Sequence, residues 1–244
     1  MKTVLLGTLG GDMKQSLSLA LLVFAVASGS SAAPCGTGSL ASYIALGSSG
    51  CTIGADTFFD FRTLSGIAGA TPISAGAVTL DPLGGTFDPG ISATVNVTAN
   101  AGNLFEALFT FKISGSFYAG DSIALTNSSA SSDGAVTGIQ NFCAGGTFGP
   151  SGVTGCTGVA GSLLTLAGVQ NQDSTSFRPV TLLSVTDDFT FDGGLAGSAS
   201  GGTMTNRFTA VPEPAAFFVT AMGLAFAAAY VSRLEKKGGN HDKV

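Results

Sequence analysis

The residues able to do chemistry are few and unevenly placed. The one histidine, His241, stands near the end of the chain beyond a basic cluster, so neither a Ser-His-Asp nor a Cys-His nucleophile can be assembled in the body of the sequence. The cysteines, Cys35, Cys51, Cys143 and Cys156, lack the close C-x₂₋₄-C spacing of a zinc site. Carboxylates remain. The densest group is Asp187, Asp188 and Asp192, residue types that serve as acid and base in glycoside hydrolysis or as hard oxygen ligands for Ca²⁺. On an alternating strand Asp188 and Asp192 share the polar face, where the plainer expectation is a solvated edge. No residue pattern calls for a cofactor.

Composition narrows the elements that hold these groups. Of 244 residues only 10% are charged, and the mean hydropathy is +0.44, too apolar for an ordinary soluble protein. Glycine, at 36 residues, is used about twice as often as the average of roughly 7%, which disfavours a helical bundle. From Pro34 to Val211 the acids far outnumber Arg62, Lys112, Arg178 and Arg207, which excludes nucleic acid as a partner.

The same stretch reads as strands. Ile91, Ala93, Val95 and Val97 alternate with polar residues, and so do Phe105, Ala107, Phe109, Phe111 and Ile113. Val185, Phe189 and Phe191 repeat the pattern, and Met204, Asn206 and Phe208 give a last, weaker strand. Gly84-Gly85, Gly145-Gly146, Gly193-Gly194 and Gly201-Gly202 punctuate them as turns. Leu40 to Leu46 reads as one or two helical turns. The expected fold is all-β, an antiparallel β-sandwich or jelly roll over residues 33–210.

The two ends read as addresses. Lys14, the apolar run Leu17 to Ala27 and the small residues Gly29 to Ala33 have the three regions of a signal peptide, residues 1–32, with Met13 as an alternative start and cleavage after Ala32. Residues 215–232 carry no charge and, at about 1.5 Å per residue, reach about 27 Å, enough for a transmembrane helix. Arg233, Lys236 and Lys237 follow it. The positive-inside bias then leaves residues 238–244 as a cytoplasmic tail and puts the β domain across the membrane.

Val211-Pro212-Glu213-Pro214 precedes the apolar run and enforces an extended backbone. The array of Pro-Glu-Pro, short spanning helix and basic cluster over residues 211–237 resembles the PEP-CTERM sorting signal of Gram-negative bacteria. That resemblance implies removal of the tail at the envelope by an exosortase, a membrane-bound transpeptidase-like enzyme, after a signal peptidase has cut the leader. It transfers a sorting fate and no activity. Cys35, Leu40, Tyr43, Gly50-Cys51-Thr52-Ile53-Gly54 and Phe58 to Phe61 look like the opening of a group of exported proteins with that tail. Ala55 follows the Ile-Gly where that group would carry an acid, and Asp56 comes one place later, which leaves the role of the acid open.

Export makes the even cysteine count a disulfide framework with three possible connectivities. Local pairing, Cys35 with Cys51 and Cys143 with Cys156, is expected, each bridge closing a loop of about 15 residues. Sugar stacking finds little support: there is no Trp, and the Tyr residues are only Tyr43, Tyr118 and Tyr230. Thr94, Thr98, Thr203 and Thr205 are too few for an ice-binding face and follow β-propensity. Asn96-Val97-Thr98 and Asn127-Ser128-Ser129 are glycosylation sequons whose use in a bacterium is not implied.

The leading expectation is a non-enzymatic envelope or extracellular-matrix protein, anchored through its helix, sorted by an exosortase and displayed on the cell surface or released among exopolysaccharide. The alternative is a surface binding module, an adhesin or a carbohydrate or Ca²⁺ binder, on the sandwich. A hydrolase using Asp187, Asp188 or Asp192 ranks third.

Overall fold

Alternation of β-branched and aromatic residues with Ser and Thr builds twelve strands and one short helix over the residues that the computed structural model describes, 32–212 and Met222. In chain order these are β1 (Gly38–Ser39), α1 (Leu40–Ile44), β2 (Cys51–Ile53), β3 (Asp56–Thr63), β4 (Thr71–Pro72), β5 (Val78–Leu83), β6 (Gly90–Asn100) and β7 (Leu104–Thr126). They are followed by β8 (Ser129–Ser131), β9 (Ala135–Ala144), β10 (Val159–Leu166), β11 (Gln172–Asp192) and β12 (Ser198–Val211). Ser39 caps α1, its side chain accepting from the Ser42 N–H at 3.2 Å.

The fold is an all-β sandwich whose two layers share their longest strands. In the first layer β12 lies between β6 and the second half of β7, with β5 and β1 beyond β6. In the second, the first half of β7 lies between β3 and β11, and β9 and β10 continue the sheet beyond β11. Both long strands pass from one layer to the other. β7 bends at Gly115, where φ is +137° and a Cβ would lie 2.5 Å from the Ala55 carbonyl oxygen, so only glycine fits. β11 changes register between Ser176 and Leu182, an interval containing Pro179, whose missing N–H is tolerated at such an irregularity.

Aromatic residues fill the space between the layers. Phe111 of the second layer meets Phe208 of the first edge-on at 6.2 Å and stacks with Phe61 at 5.2 Å. Phe58, Phe109, Phe189 and Phe191 are fully buried beside them, as the alternation in β7 and β11 requires.

Two sequence expectations change. Gly201-Gly202 is no turn but an irregularity inside β12, where the register to β6 shifts between Ser200 and Gly202. The supposedly weak last strand is an interior strand of the first layer, paired on both sides.

Both expected disulfides are present. Cys35 joins Cys51 and Cys143 joins Cys156, with Cα separations of 4.8 and 5.6 Å. Among the described residues no cysteine is free, and such bridges mark a domain that folds in an oxidising compartment. The signal-peptide reading, apart from Ala32, and the membrane-helix reading, apart from Met222, lie outside the described residues. No helix among the described residues is long and apolar enough to cross a membrane.

Replacing Cys143 and Cys156 together by Ser should lower unfolding stability by about 3 kcal/mol, seen as a lower Tm. Non-reducing peptide mapping of the unaltered protein should recover Cys35 linked to Cys51; a Cys51–Cys143 peptide would overturn the pairing.

Candidate functional site

The three aspartates grouped by sequence are not one site. Asp187 and Asp188 are consecutive on β11 and point to opposite faces, and Asp192 is exposed at the strand's end, where its carboxylate accepts from the Gly194 N–H at 2.8 Å. Among the described residues no three His, Cys, Asp or Glu side chains are grouped to hold a metal. The solvated edge expected for Asp188 is also absent, because β11 is flanked by β7 and β9 along this stretch.

Asp187 faces inward, opposite Phe109 on β7 and Gln140 on β9. Asn206 reaches it from β12 across the sandwich and donates through Nδ2 to its Oδ2. Asp121 on β7 joins them, within reach of the Gln140 amide. Burial pushes Asp187 up to about 8, opposed by hydrogen bonds from Asn206 and Gln140 and reinforced by Asp188. The Asp121 carboxyl is held well above its ordinary range by burial and then by Asp187. Sequence periodicity marked Asn206 as inward-facing but gave no sign that three more polar side chains would meet it.

Asp188 lies on the outer face of the second layer beside Glu106 of β7. The two carboxyls act on each other electrostatically, and Glu106 Oε1 and Asp188 Oδ1 are both buried without a hydrogen-bond partner. A proton shared between the two carboxyls would satisfy both atoms. Burial and then the Glu106 charge raise Asp188 to about 7. A strap from Leu64 to Ile73 covers the pair: the Ile67 N–H donates to Glu106 Oε2 at 2.7 Å, and Gly66 presses so close that a Cβ would meet that oxygen at 1.6 Å. β4 holds the strap parallel to β7, with the Ile73 N–H donating to the Glu106 carbonyl at 2.7 Å.

Farther along the same face a groove of about 580 Å³ is lined by Asp60, Arg62, Lys112 and Phe148. The loop closed by Cys143 and Cys156 forms one wall and is anchored by the Thr186 hydroxyl, which donates to the Gly152 carbonyl. Lys112 pairs with Asp60 at 2.8 Å and lies 5.9 Å above the Phe59 ring. Asp60, with φ of +56°, is one of few non-glycine residues in the left-handed region, and it falls where β3 shifts register against β7. Sequence reading passed over this groove because its charges are dispersed.

Asp56 has a structural role. It is buried and accepts from the Tyr118 hydroxyl at 2.5 Å and the Ser116 N–H at 2.8 Å, tying β3 to the bend of β7. On the outer face of the first layer Thr79, Thr94, Thr203 and Thr126 align across four strands, and Thr94 bonds Thr203 at 2.9 Å. Of the sorting motif, Val211 pairs with Phe117 and Pro212 follows it; Glu213, Pro214, Arg233, Lys236 and Lys237 lie outside the described residues.

These features define a disulfide-stapled all-β sandwich with a lined outer groove. No protein-family model and no curated protein sequence matches the chain. A carbohydrate-binding module, TmCBM61, solved in complex with β-1,4-galactotriose, matches 53% of this chain and 81% of its own, at 8% identity and a TM-score of 0.23. A likeness at that score bears on neither ligand nor site.

The Glu106–Asp188 pair makes stability fall with rising pH. Asp188 binds its proton more tightly folded than unfolded, so its contribution is full below the ordinary value of 3.8 and is lost as pH rises through about 7. In metal-free buffer the Tm of Asp188→Asn should fall less between pH 5 and 8.5 than that of the unaltered protein; parallel profiles would refute the shared proton.

Proposed function

We propose that this protein is an exported, non-enzymatic envelope or matrix component, a jelly-roll-like sandwich that a C-terminal signal delivers to an exosortase. The observation carrying this reading is the fit between sandwich and addresses. Ala33, the residue directly after the expected signal-peptidase cut, is already tied to the sandwich, its carbonyl accepting from the Thr52 N–H at 2.9 Å. Among the described residues the last strand, β12, runs to Val211, the first residue of the Val-Pro-Glu-Pro motif. The two disulfides suit the far side of the membrane. The chain's sole histidine lies outside the domain, which weighs against histidine-based hydrolysis there.

The test is mass spectrometry of the C-terminus after expression with and without the exosortase. With the enzyme the tail bearing Lys237 should be gone; an intact tail in both strains would refute sorting.

The groove favours a second reading, a binding module for a polar ligand such as a surface polysaccharide. Arg62 and Lys112 are two of only four basic side chains in the domain, and both line it. On a glycan array any ligand bound should lose at least tenfold in affinity with Arg62→Ala–Lys112→Ala; binding that survives the double change lies elsewhere.

A further inference from the structure

We infer that Asp121, Gln140, Asp187 and Asn206 form a calcium site inside the sandwich. The four side chains come from four strands. β7 and β12 bring Asp121 and Asn206 from the first layer, and β9 and β11 bring Gln140 and Asp187 from the second. Asp121 is 1% exposed and the other three are 0% exposed.

The chemistry of the cluster asks for a cation. Two carboxylates stand in an interior otherwise lined by Phe109, Phe189 and Phe208, and an ionised carboxylate buried without a counter-charge is strongly unfavourable. Every basic side chain of the domain is elsewhere. Lys112 pairs with Asp60 and Arg207 with Asp88, while Arg62 and Arg178 are exposed. The nearest other acid, Asp188, lies on the opposite face of β11 and adds only repulsion. Asp187 Oδ1 is buried and receives no hydrogen bond. The Gln140 amide nitrogen donates to both Asp121 oxygens at 3.1 Å, and its oxygen lies 3.2 Å from the Asn206 Oδ1, two carbonyl oxygens facing each other beside the carboxyls.

The ligand set selects among metals. Two carboxylates, each able to bind through both oxygens, and two amide carbonyls supply up to about six hard oxygens, within the six to eight that Ca²⁺ takes at 2.3–2.6 Å. The ion's charge also matches that of the two carboxylates. Mg²⁺ demands near-ideal octahedral geometry and keeps its waters, which a dry interior does not provide, and Zn²⁺ prefers nitrogen and sulfur. The site retains Asp187 from the group singled out in the sequence but neither Asp188 nor Asp192. Its ligands come from strands that pair only in the finished sandwich, so the ion is a folding partner in the manner of structural metals.

Elemental analysis of the full-length protein, made in an oxidising compartment and dialysed against trace-metal-free buffer, should find about one calcium per chain. Addition of EDTA should lower the Tm by roughly 5–10 °C, and calcium, but not magnesium, should restore it. Asp121→Asn–Asp187→Asn, judged folded by its two disulfides and far-ultraviolet circular dichroism, should hold no calcium and melt alike with and without EDTA. Absence of calcium with identical melting in calcium and EDTA would overturn the site, as would stoichiometric calcium retained by the double variant. If that variant does not fold, the measurements on the unaltered protein decide alone.

Discussion

β7 and β11 lie side by side through both layers, and every other strand is placed by its position relative to that pair. Their register runs from Leu104–Asp192 at one end to Ala124–Gln172 at the other, interrupted only where the strands turn from one layer into the next. Because the two strands bend together, at Gly115 and around Pro179, the layers are hinged by continuous backbone and not only by side-chain packing. Asp56 secures the bend from outside the ladder, accepting from Tyr118 and Ser116 on the β7 side of it. The aromatic interior follows from this geometry, since the inward residues of β7 and β11 are brought over β12.

The same alternation explains the distribution of acids. Consecutive strand residues serve opposite faces, so the Asp187-Asp188 pair places one carboxyl in the core and the next beneath the strap on the outer surface. Each meets a different answer to its charge. Outside, the neighbouring Glu106 carboxyl and burial hold the Asp188 proton more tightly, and the Ile67 N–H donates to Glu106. Inside, two side-chain amides and the Ser122 backbone face the carboxyls and no basic side chain does, too little for two negative charges in a low-dielectric interior.

Much of this was legible in the sequence, and what escaped it did so for definite reasons. The alternation of Phe105 to Ile113 and of Ile91 to Val97 marked strands and their buried faces, because period-2 patterning is a local property. The disulfides followed from spacing and compartment. Strands β9 and β10 were missed: β9 places Gly138, Gln140 and Asn141 among its apolar residues, and the exposed stretch of β10 gives no clean alternation. The polar core was missed because it depends on register between strands far apart in the chain, Gln140 opposite Asp187 and Asn206 opposite Ile123, and no local pattern encodes that. Gly201-Gly202 was misread because a glycine pair signals a turn and a bulge equally well.

β12, the last strand in sequence among the described residues, occupies an interior position between β6 and β7. Until its final residues are free of whatever conducts the chain, the first layer has a gap one strand wide, with unpaired backbone donors and acceptors on both of its margins. Closure of the first layer therefore follows the emergence of every other described strand, whereas Cys35–Cys51 and Cys143–Cys156 join near neighbours in sequence and can form as the chain emerges. An incompletely delivered chain would be stapled but open, and it would present those margins to the proteases and chaperones that police unfinished proteins.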